Sequence, residues 1–241
     1  MSTDPIINSV TLINYYWWMI ISGEKSSEFK KELLHKLEVT KQEITDANND
    51  LALIYLMSFE LRVHFYYNDF FSAFLNLSEI NRRLNDYEKS QGSLKNEYFI
   101  LVKNLVNYMN SFINDKYPFY YKLLIHQPCV DKKYSIEQLK RLTKSKNTIV
   151  STESNYFLMK IFFENDHDFQ SAEKHARILV DNYPGNFIFS YYYRNILIKN
   201  QCLSQAEVEK HRTLDYLADN NCLSETQRKY CIYLLQGKLK H

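Results

Sequence analysis

The segment that decides the fold is residues 154–186, SNYFLMKIFFENDHDFQSAEKHARILVDNYPGN, together with residues 186–220, NFIFSYYYRNILIKNQCLSQAEVEKHRTLDYLADN. Each stretch has the pattern of two helices joined by a short polar turn. The second helix of each pair begins near a small residue, Ala172 and then Ala206, and these two residues lie 34 positions apart. That period is typical of helical hairpins that stack on one another, because a single hairpin cannot bury its apolar face alone.

The remaining sequence also favours helices. Only 4 glycines and 4 prolines are present, which leaves too little turn chemistry for an all-β fold. The periodicity predicts about twelve helices and no strand. We expect an all-α protein whose antiparallel hairpins stack as a short right-handed α-solenoid. Its parts would be N-terminal hairpins at 1–90, middle helices with an irregular loop at 91–150, and tandem hairpins with a capping helix at 151–241.

Several element boundaries can be predicted outside the tandem hairpins. The apolar pattern indicates a helix over 8–22 and an amphipathic helix from Ser26, and the turn Asn68-Asp69 joins a third hairpin whose second helix carries Ala73. Further along the chain we expect a loop at 89–93, a helix over 94–114, a helix restarting at Pro118, and irregular structure over 120–133.

Three Ser-x-x-Glu/Gln patterns predict helix starts. In such a capping box the serine accepts from a free backbone N–H, and the acid or amide side chain returns a bond to the serine backbone. The three candidates are Ser135 to Gln138, Ser204 to Glu207 and Ser224 to Gln227.

The first of the tandem hairpins resembles the tetratricopeptide (TPR) repeat. Its bulky and small residues match that pattern in order and spacing: Tyr156, Phe163, Ala172, Ala176 and Pro184. Lys160 stands where the pattern prefers glycine or alanine. The second hairpin keeps Tyr193, Leu197 and Ala206 but lacks the later small residue and the proline, so it is a degenerate copy.

Most of the chain also resembles a little-characterised bacterial family of TPR-like proteins related to outer-membrane Iml-type repeat proteins. The stretches that carry this resemblance include NYYWWMIISGE, YLMSFELRVHFYYNDFFSAFLNL, KYPFYYKLL, the first tandem hairpin and YYYRNILIKN. The resemblance implies a helical repeat scaffold with no assigned activity. Members often carry an export signal, which this sequence does not display.

We expect no catalytic centre, cofactor or metal. The four glycines are isolated, so a phosphate-binding loop is excluded, and neither a nucleophile elbow nor an HExxH motif occurs. His126 and Cys129 would be half a metal site at most, and the other cysteines, Cys202, Cys222 and Cys231, form no CxxC pair. The tripeptide Asp166-His167-Asp168 is either an exposed acidic turn or a pH-sensitive position.

The charge pattern argues against nucleic acid as a partner. The net charge is +2, and the basic residues between Lys132 and Lys146 are typical of a solvated helix face, with an anionic partner as the alternative. The apolar run from Val10 to Ile21 is too short to span a bilayer and follows no basic region, so neither a transmembrane segment nor a signal peptide is predicted. As the sequence stands we expect a cytoplasmic protein, or a periplasmic or envelope protein if the N-terminus is processed.

The resemblance implies a peptide-binding groove lined by the first helix of each hairpin. The residues it would place there, besides Ser154, are Phe157, Ile161, Glu164, Ile188, Tyr191, Asn195 and Lys199. Aromatic rings supply packing area, and an amide such as Asn195 can pair with a peptide backbone. Alternatively, the apolar members of this set belong to the core between helices. The paired basic residues that would clamp a C-terminal carboxylate are missing, which disfavours a chaperone-tail adaptor.

The sequence therefore predicts a non-catalytic scaffold that binds a protein or peptide. The alternative is a peptide-responsive regulatory switch that joins a helical bundle to a TPR domain.

Overall fold

The computed structural model describes residues 13, 16, 17, 20, 27–46, 49–91, 96–124, 131–220 and 223–236. These residues contain eleven α-helices, one π-helical turn and no β-strand, which confirms the all-α prediction. The helices are α1 (Ser27–Asp46), α2 (Asp50–Tyr66), α3 (Phe70–Gln91), α4 (Glu97–Lys116), α5 (Pro118–Leu124), α6 (Lys132–Leu142), α7 (Thr148–Lys160), α8 (Phe169–Asn182), α9 (Phe187–Lys199), α10 (Leu203–Asp219) and α11 (Glu225–Leu235); the π turn is Ile161–Asn165. Of the helix predicted over 8–22, the four described residues are helical, and the rest lies outside the description.

The chain divides into two compact units. The first contains α1 to α6, and the second contains α7 to α11 together with Ile20. In the first unit α2 packs against α1 and α3, while α4 contacts α2, α3, α5 and α6. Its core is aliphatic and aromatic, with fully buried side chains at Leu37, Ile54, Phe59, Leu77 and Leu101.

One polar pair is enclosed in the core of the first unit. Asn81 on α3 and Asn110 on α4 exchange two amide hydrogen bonds, with Nδ2 to Oδ1 distances of 3.1 and 2.8 Å. Both side chains are buried. Because each amide satisfies the other, the two helices can bury these groups without leaving a polar atom of the pair unbonded.

Consecutive helices pack together in the second unit. Helix α8 lies against α7 and α9, α10 lies against α9, and α11 contacts both α9 and α10. Asparagine side chains accept backbone N–H groups at the start of α7 and α9, where Asn147 and Asn186 are the N-caps. Such caps satisfy donors that have no partner within the helix, so the sequence fixes where both helices begin.

Three hairpins share the same turn. Asn68, His167 and Gln201 have φ of 59°, 53° and 62° respectively, and each stands one residue before the N-cap of the following helix. His167 and Gln201 lie 34 residues apart, as Ala172 and Ala206 do. The predicted turn at Asn68-Asp69 is therefore confirmed, and the repeat spacing is visible in the backbone.

The helix after each of these turns carries a buried alanine in its first turn. Ala73, Ala172 and Ala206 each donate a backbone bond of 3.0 Å to the carbonyl of the N-cap residue, and their side chains are enclosed. A small side chain at this point allows the two helices of a hairpin to approach closely.

Only one of the three predicted capping boxes forms. At the start of α11 the Ser224 Oγ accepts from the Gln227 N–H, and the Gln227 side chain accepts from the Ser224 N–H. The box predicted at Ser135 is wrong, because the Asp131 carboxylate accepts from the Lys133 N–H and the helix already begins at Lys132.

The capping box predicted at Ser204 is also wrong. Helix α10 begins at Leu203, and its N-cap is Cys202, which makes no side-chain capping bond. The shared turn places the N-cap one residue after Gln201, so the serine falls inside the first helical turn.

Other predicted boundaries shift by a few residues. The helix expected over 94–114 runs from Glu97 to Lys116, with Asn96 as its N-cap. The predicted loop at 89–93 is helical as far as Gln91, and residues 92–95 lie outside the description. A helix does restart at Pro118; the segment expected to be irregular, 120–133, contains the end of α5 and the start of α6, and residues 125–130 are not described.

Candidate functional site

The end of α7 is widened into a π turn. Asp166 donates its backbone N–H to the Ile161 carbonyl at 3.0 Å, a spacing of five residues. Turns of this kind are rare inside α-helices and are frequent at functional sites. This one lies between Lys160 and the turn of the first tandem hairpin, so it sets the direction in which the side chains from residue 160 to residue 165 point.

Lys160 lies in a pocket of rings and one carboxylate. Its Nζ is 5.8 Å from the ring centroid of Tyr156 and 5.5 Å from that of Tyr192, within the range of cation–π attraction. The Glu164 carboxylate lies 3.5 Å from Nζ, one helical turn further along. Tyr192 donates its hydroxyl to the same carboxylate at 2.8 Å. The ammonium group is thus supplied with an anion by its own hairpin.

Two side chains of this pocket, Lys160 and Tyr192, have shifted pKa values. Desolvation lowers the pKa of Lys160, but the electrostatic influence of Tyr156, Tyr192 and Glu164 outweighs it, so that this pKa is raised well above its ordinary value. The pKa of Tyr192 is raised, chiefly because burial disfavours the phenolate. Both groups therefore keep their protons at neutral pH.

Aromatic rings join α7 to α9. Tyr156 packs against Phe189 and Tyr192 with centroid separations of 6.0 and 6.3 Å, and Phe163 meets Tyr192 edge-on at 6.1 Å. These separations lie within the favourable range for aromatic pairs. The first helices of the two tandem hairpins are therefore held side by side by ring contacts.

The predicted groove residues fall into two groups. Ser154, Ile161 and Ile188 are buried within the second unit, so they are not available to a partner on its surface. Five predicted residues remain at least partly accessible: Phe157, Glu164, Tyr191, Asn195 and Lys199. For Ile161 and Ile188 the core alternative is the one that the burial supports.

Three of the accessible residues lie on successive turns of α9. Tyr191 stacks on Phe187 with centroids 6.0 Å apart and meets Tyr192 edge-on at 5.8 Å, which fixes its ring. Asn195 is half-buried, and its amide makes no hydrogen bond with any residue of the described chain. Lys199 is exposed. A ring, an open amide and a cation thus follow one another along one face.

One residue of interest was missed in the sequence. Arg194 lies 34 positions after Lys160, the same spacing as between the two alanines and between the two left-handed turn residues. Only 8% of its surface is exposed, yet the described residues offer its guanidinium no hydrogen bond or ion pair. The repeat spacing itself was the signal that could have found it.

The other candidate sites show little chemistry. Asp168 is the N-cap of α8 and accepts from the Ser171 N–H at 3.0 Å. The hydrogen bonds from Ser171 lower the pKa of the Asp168 carboxyl. This carboxylate therefore stabilises the turn that contains the exposed His167. In the basic segment, Lys132 lies 5.3 Å from the Tyr108 ring, and Lys140 pairs with Glu137 at 2.8 Å.

The thiols and acids give no metal site within the residues that the structure covers. No group of three potential ligands is found there. Cys202 is a partly exposed free thiol and Cys231 is buried, whereas His126, Cys129 and Cys222 lie outside the described residues. Among the described helices, none has the length and apolar character needed to cross a bilayer.

No known protein family, curated protein or solved structure matches this chain. The resemblance to TPR proteins therefore stays a prediction, and function has to be argued from the geometry.

Proposed function

We propose that this protein is a non-catalytic TPR-like scaffold that binds an extended or helical peptide segment of a partner protein. The helices α7 to α10 would be two stacked repeats of a short right-handed solenoid, with α11 as the capping helix. The common turn at His167 and Gln201, the equivalent alanines and the ring contacts between α7 and α9 support this arrangement.

The observation that carries the proposal is the accessible face of α9. Tyr191 provides a ring already held by its neighbours, so little side-chain entropy is lost when a partner covers it. The Asn195 amide has a free donor and a free acceptor, which suits a peptide backbone. Lys199 would add an attraction for acidic partners. Phe157 and Glu164 on α7 and the π turn would extend this surface.

The test compares partner capture by the wild-type protein and by a Tyr191→Ala, Asn195→Ala double variant. A matched control carries Tyr216→Ala and Asn182→Ala, which remove the same residue types at exposed positions of α10 and α8. Both variants are first checked for unchanged helical content and melting temperature. We expect specific partners that the control retains and the double variant loses. Equal capture by all three proteins would place binding on a different surface.

The division into two units favours a second candidate, the peptide-responsive switch. In this function a peptide bound to the second unit would change the conformation of the whole chain. Small-angle scattering with and without a captured peptide would test it, and a scattering profile that stays the same at saturating peptide would rule it out.

A further inference from the structure

Lys160 and Arg194 are cations at corresponding sequence positions of the two tandem hairpins. They lie 34 residues apart, and each precedes the left-handed residue of its turn, His167 or Gln201, by the same number of positions. The tetratricopeptide pattern prefers a small side chain at this sequence position. A long cation there needs an anion, because burying an unpaired charge is costly.

The first hairpin supplies that anion and the second does not. Lys160 has Glu164 one turn later, with the carboxylate 3.5 Å from its Nζ. The residue one turn after Arg194 is Ile198, and the residue one turn before it is Ser190, which is buried. The missing element in the second hairpin is thus a carboxylate.

The guanidinium of Arg194 is enclosed on one side and open on the other. Its Nε is shut off from solvent without an acceptor, whereas the two Nη atoms are not fully enclosed and form no hydrogen bond within the described chain. The neighbouring arginines of the unit are all bonded: Arg177 to Glu173, Arg212 to Glu209, and Arg228 to the Asn220 carbonyl. Arg194 is the exception.

Glu207, an acid on which the charge of Arg194 acts, is already engaged. The pKa of Glu207 on α10 is lowered first by a hydrogen bond from Lys210 and to a lesser degree by the charge of Arg194. The Glu207 carboxylate pairs with Lys210 at 3.1 Å and not with Arg194.

We propose that Arg194 binds a carboxylate of the peptide partner, taking the anion that Glu164 provides in the first hairpin. The two Nη–H groups present the parallel donors that match a carboxylate, and an arginine loses little freedom when it forms such a pair. Arg194 is adjacent to Asn195 and one turn from Tyr191. That the carboxylate comes from a peptide rests on the proposed function. That Arg194 binds a carboxylate does not rest on it.

The direct test follows the Nε–Hε resonance of Arg194 by NMR, with acetate as the probe. The resonance is assigned by its loss in Arg194→Lys. We expect a saturable shift with sodium acetate and only a small linear change with sodium chloride at equal ionic strength. Equal linear responses to both salts would overturn the proposal. An acetate response that appears only in Glu207→Gln would also overturn it, since Glu207 would then be the partner of Arg194.

An internal carboxylate gives a sharper test. Ile198 is 36% exposed, so Ile198→Glu can be introduced at low risk to the fold, and it places a carboxylate four residues after Arg194, the spacing of Lys160 and Glu164. We expect this variant to bind acetate at least about tenfold more weakly, because the tethered carboxylate competes at high effective concentration. Ile198→Gln has the same shape without the charge and should bind as the wild type does. Unchanged acetate binding by Ile198→Glu would contradict the proposal.

Three short N-acetylated peptides distinguish the sources of the carboxylate. The first ends in a free carboxylate, the second is its C-terminal amide, and the third is that amide with one internal glutamate. We expect the first or the third to bind more tightly than acetate and the second not to shift Arg194; the tighter binder identifies the source. Peptides that bind no better than acetate would overturn the assignment to a peptide. If acetate shifts the Arg194 resonance but the Tyr191→Ala, Asn195→Ala variant captures partners as well as the wild type does, the proposed function is wrong and the carboxylate site remains supported.

Discussion

The hydroxyl of Tyr192 contributes to the pocket around Lys160 in two ways. It donates to the Glu164 carboxylate, and its ring covers the ammonium group. Because only the neutral phenol can donate, the contribution depends on pH. The raised pKa of Tyr192 means that the folded state holds this proton more tightly than the unfolded state does.

The first prediction is that Tyr192→Phe changes how stability varies with alkaline pH. The stabilisation from a raised tyrosine pKa is fully present below the unfolded value of about 10 and is lost as the pH rises through the folded value. At pH 7 the variant should be about 1 kcal/mol less stable, because a hydrogen bond to a carboxylate is lost. The deficit should shrink above about pH 10. Urea unfolding of both proteins from pH 7 to 11 measures it.

The exposed Tyr216 provides the control for this experiment. Tyr216→Phe should follow the wild-type curve at every pH. A deficit of Tyr192→Phe that stays constant up to pH 11 would show that the phenol proton of Tyr192 has no part in stability.

The second prediction is that Cys202→Asp stabilises the protein. Cys202 is the N-cap of α10 without a side-chain bond, whereas Asp168, with a closely similar φ, caps the equivalent helix α8. An aspartate at residue 202 should accept a backbone N–H and gain about 1 kcal/mol. Thermal melts of Cys202→Asp and Cys202→Ala separate the two effects. A melting temperature no higher for aspartate than for alanine would show that the cap does not form.

At the scale of elements, the hairpin turns explain which helix starts the sequence could predict. Ser224 and Gln227 form their box because Ser224 is the N-cap of α11. Ser204 carries the same pattern, but the left-handed Gln201 and the bond from the Cys202 N–H to the Leu197 carbonyl fix the helix start earlier. A local pattern thus predicts a cap only where no stronger turn precedes it.

The third prediction concerns the close approach of α8 to its neighbours. Ala172→Leu should destabilise the protein by about 1–3 kcal/mol, because the added atoms have no space at a fully enclosed position. Ala218→Leu, at an exposed position of α10, makes the same chemical change and should have little effect. Chemical denaturation measures both. Equal free energies of unfolding for the two variants would mean that the Ala172 position tolerates a large side chain, which would contradict a close approach of the hairpin helices there.

For the molecule as a whole, the division into two units predicts the course of unfolding. The fourth prediction is that thermal unfolding shows two transitions, each belonging to one unit. Asn81→Ala leaves the buried Asn110 amide unbonded and should lower only the transition of the first unit. Ala172→Leu should lower only that of the second. Calorimetry of both variants tests this, and one transition that moves with either variant would contradict it.

The sequence predicted the all-helical class and the tandem hairpins because the apolar periodicity and the spacing of Ala172 and Ala206 are local signals. It did not reveal the π turn, nor the ring of Tyr192 beside Lys160, which depends on how α7 meets α9. Tyr192, which completes that pocket, was not among the predicted groove residues. The 34-residue spacing could have pointed to Arg194, but that its guanidinium has no partner among the described residues can be recognised only when its surroundings are known.

The alkylation rate of the Cys231 thiol can report how often the second unit opens. This side chain is fully enclosed in α11, and burial raises its pKa to about 12. Alkylating reagents require an accessible thiolate, so the residue can react only during the moments when α11 separates from its neighbours. The labelling rate of Cys231, read by mass spectrometry, therefore counts these openings. A ligand that binds only the closed unit should lower the labelling rate of Cys231 in proportion to its occupancy. Labelling of this residue is therefore a binding assay that needs no added probe on the protein.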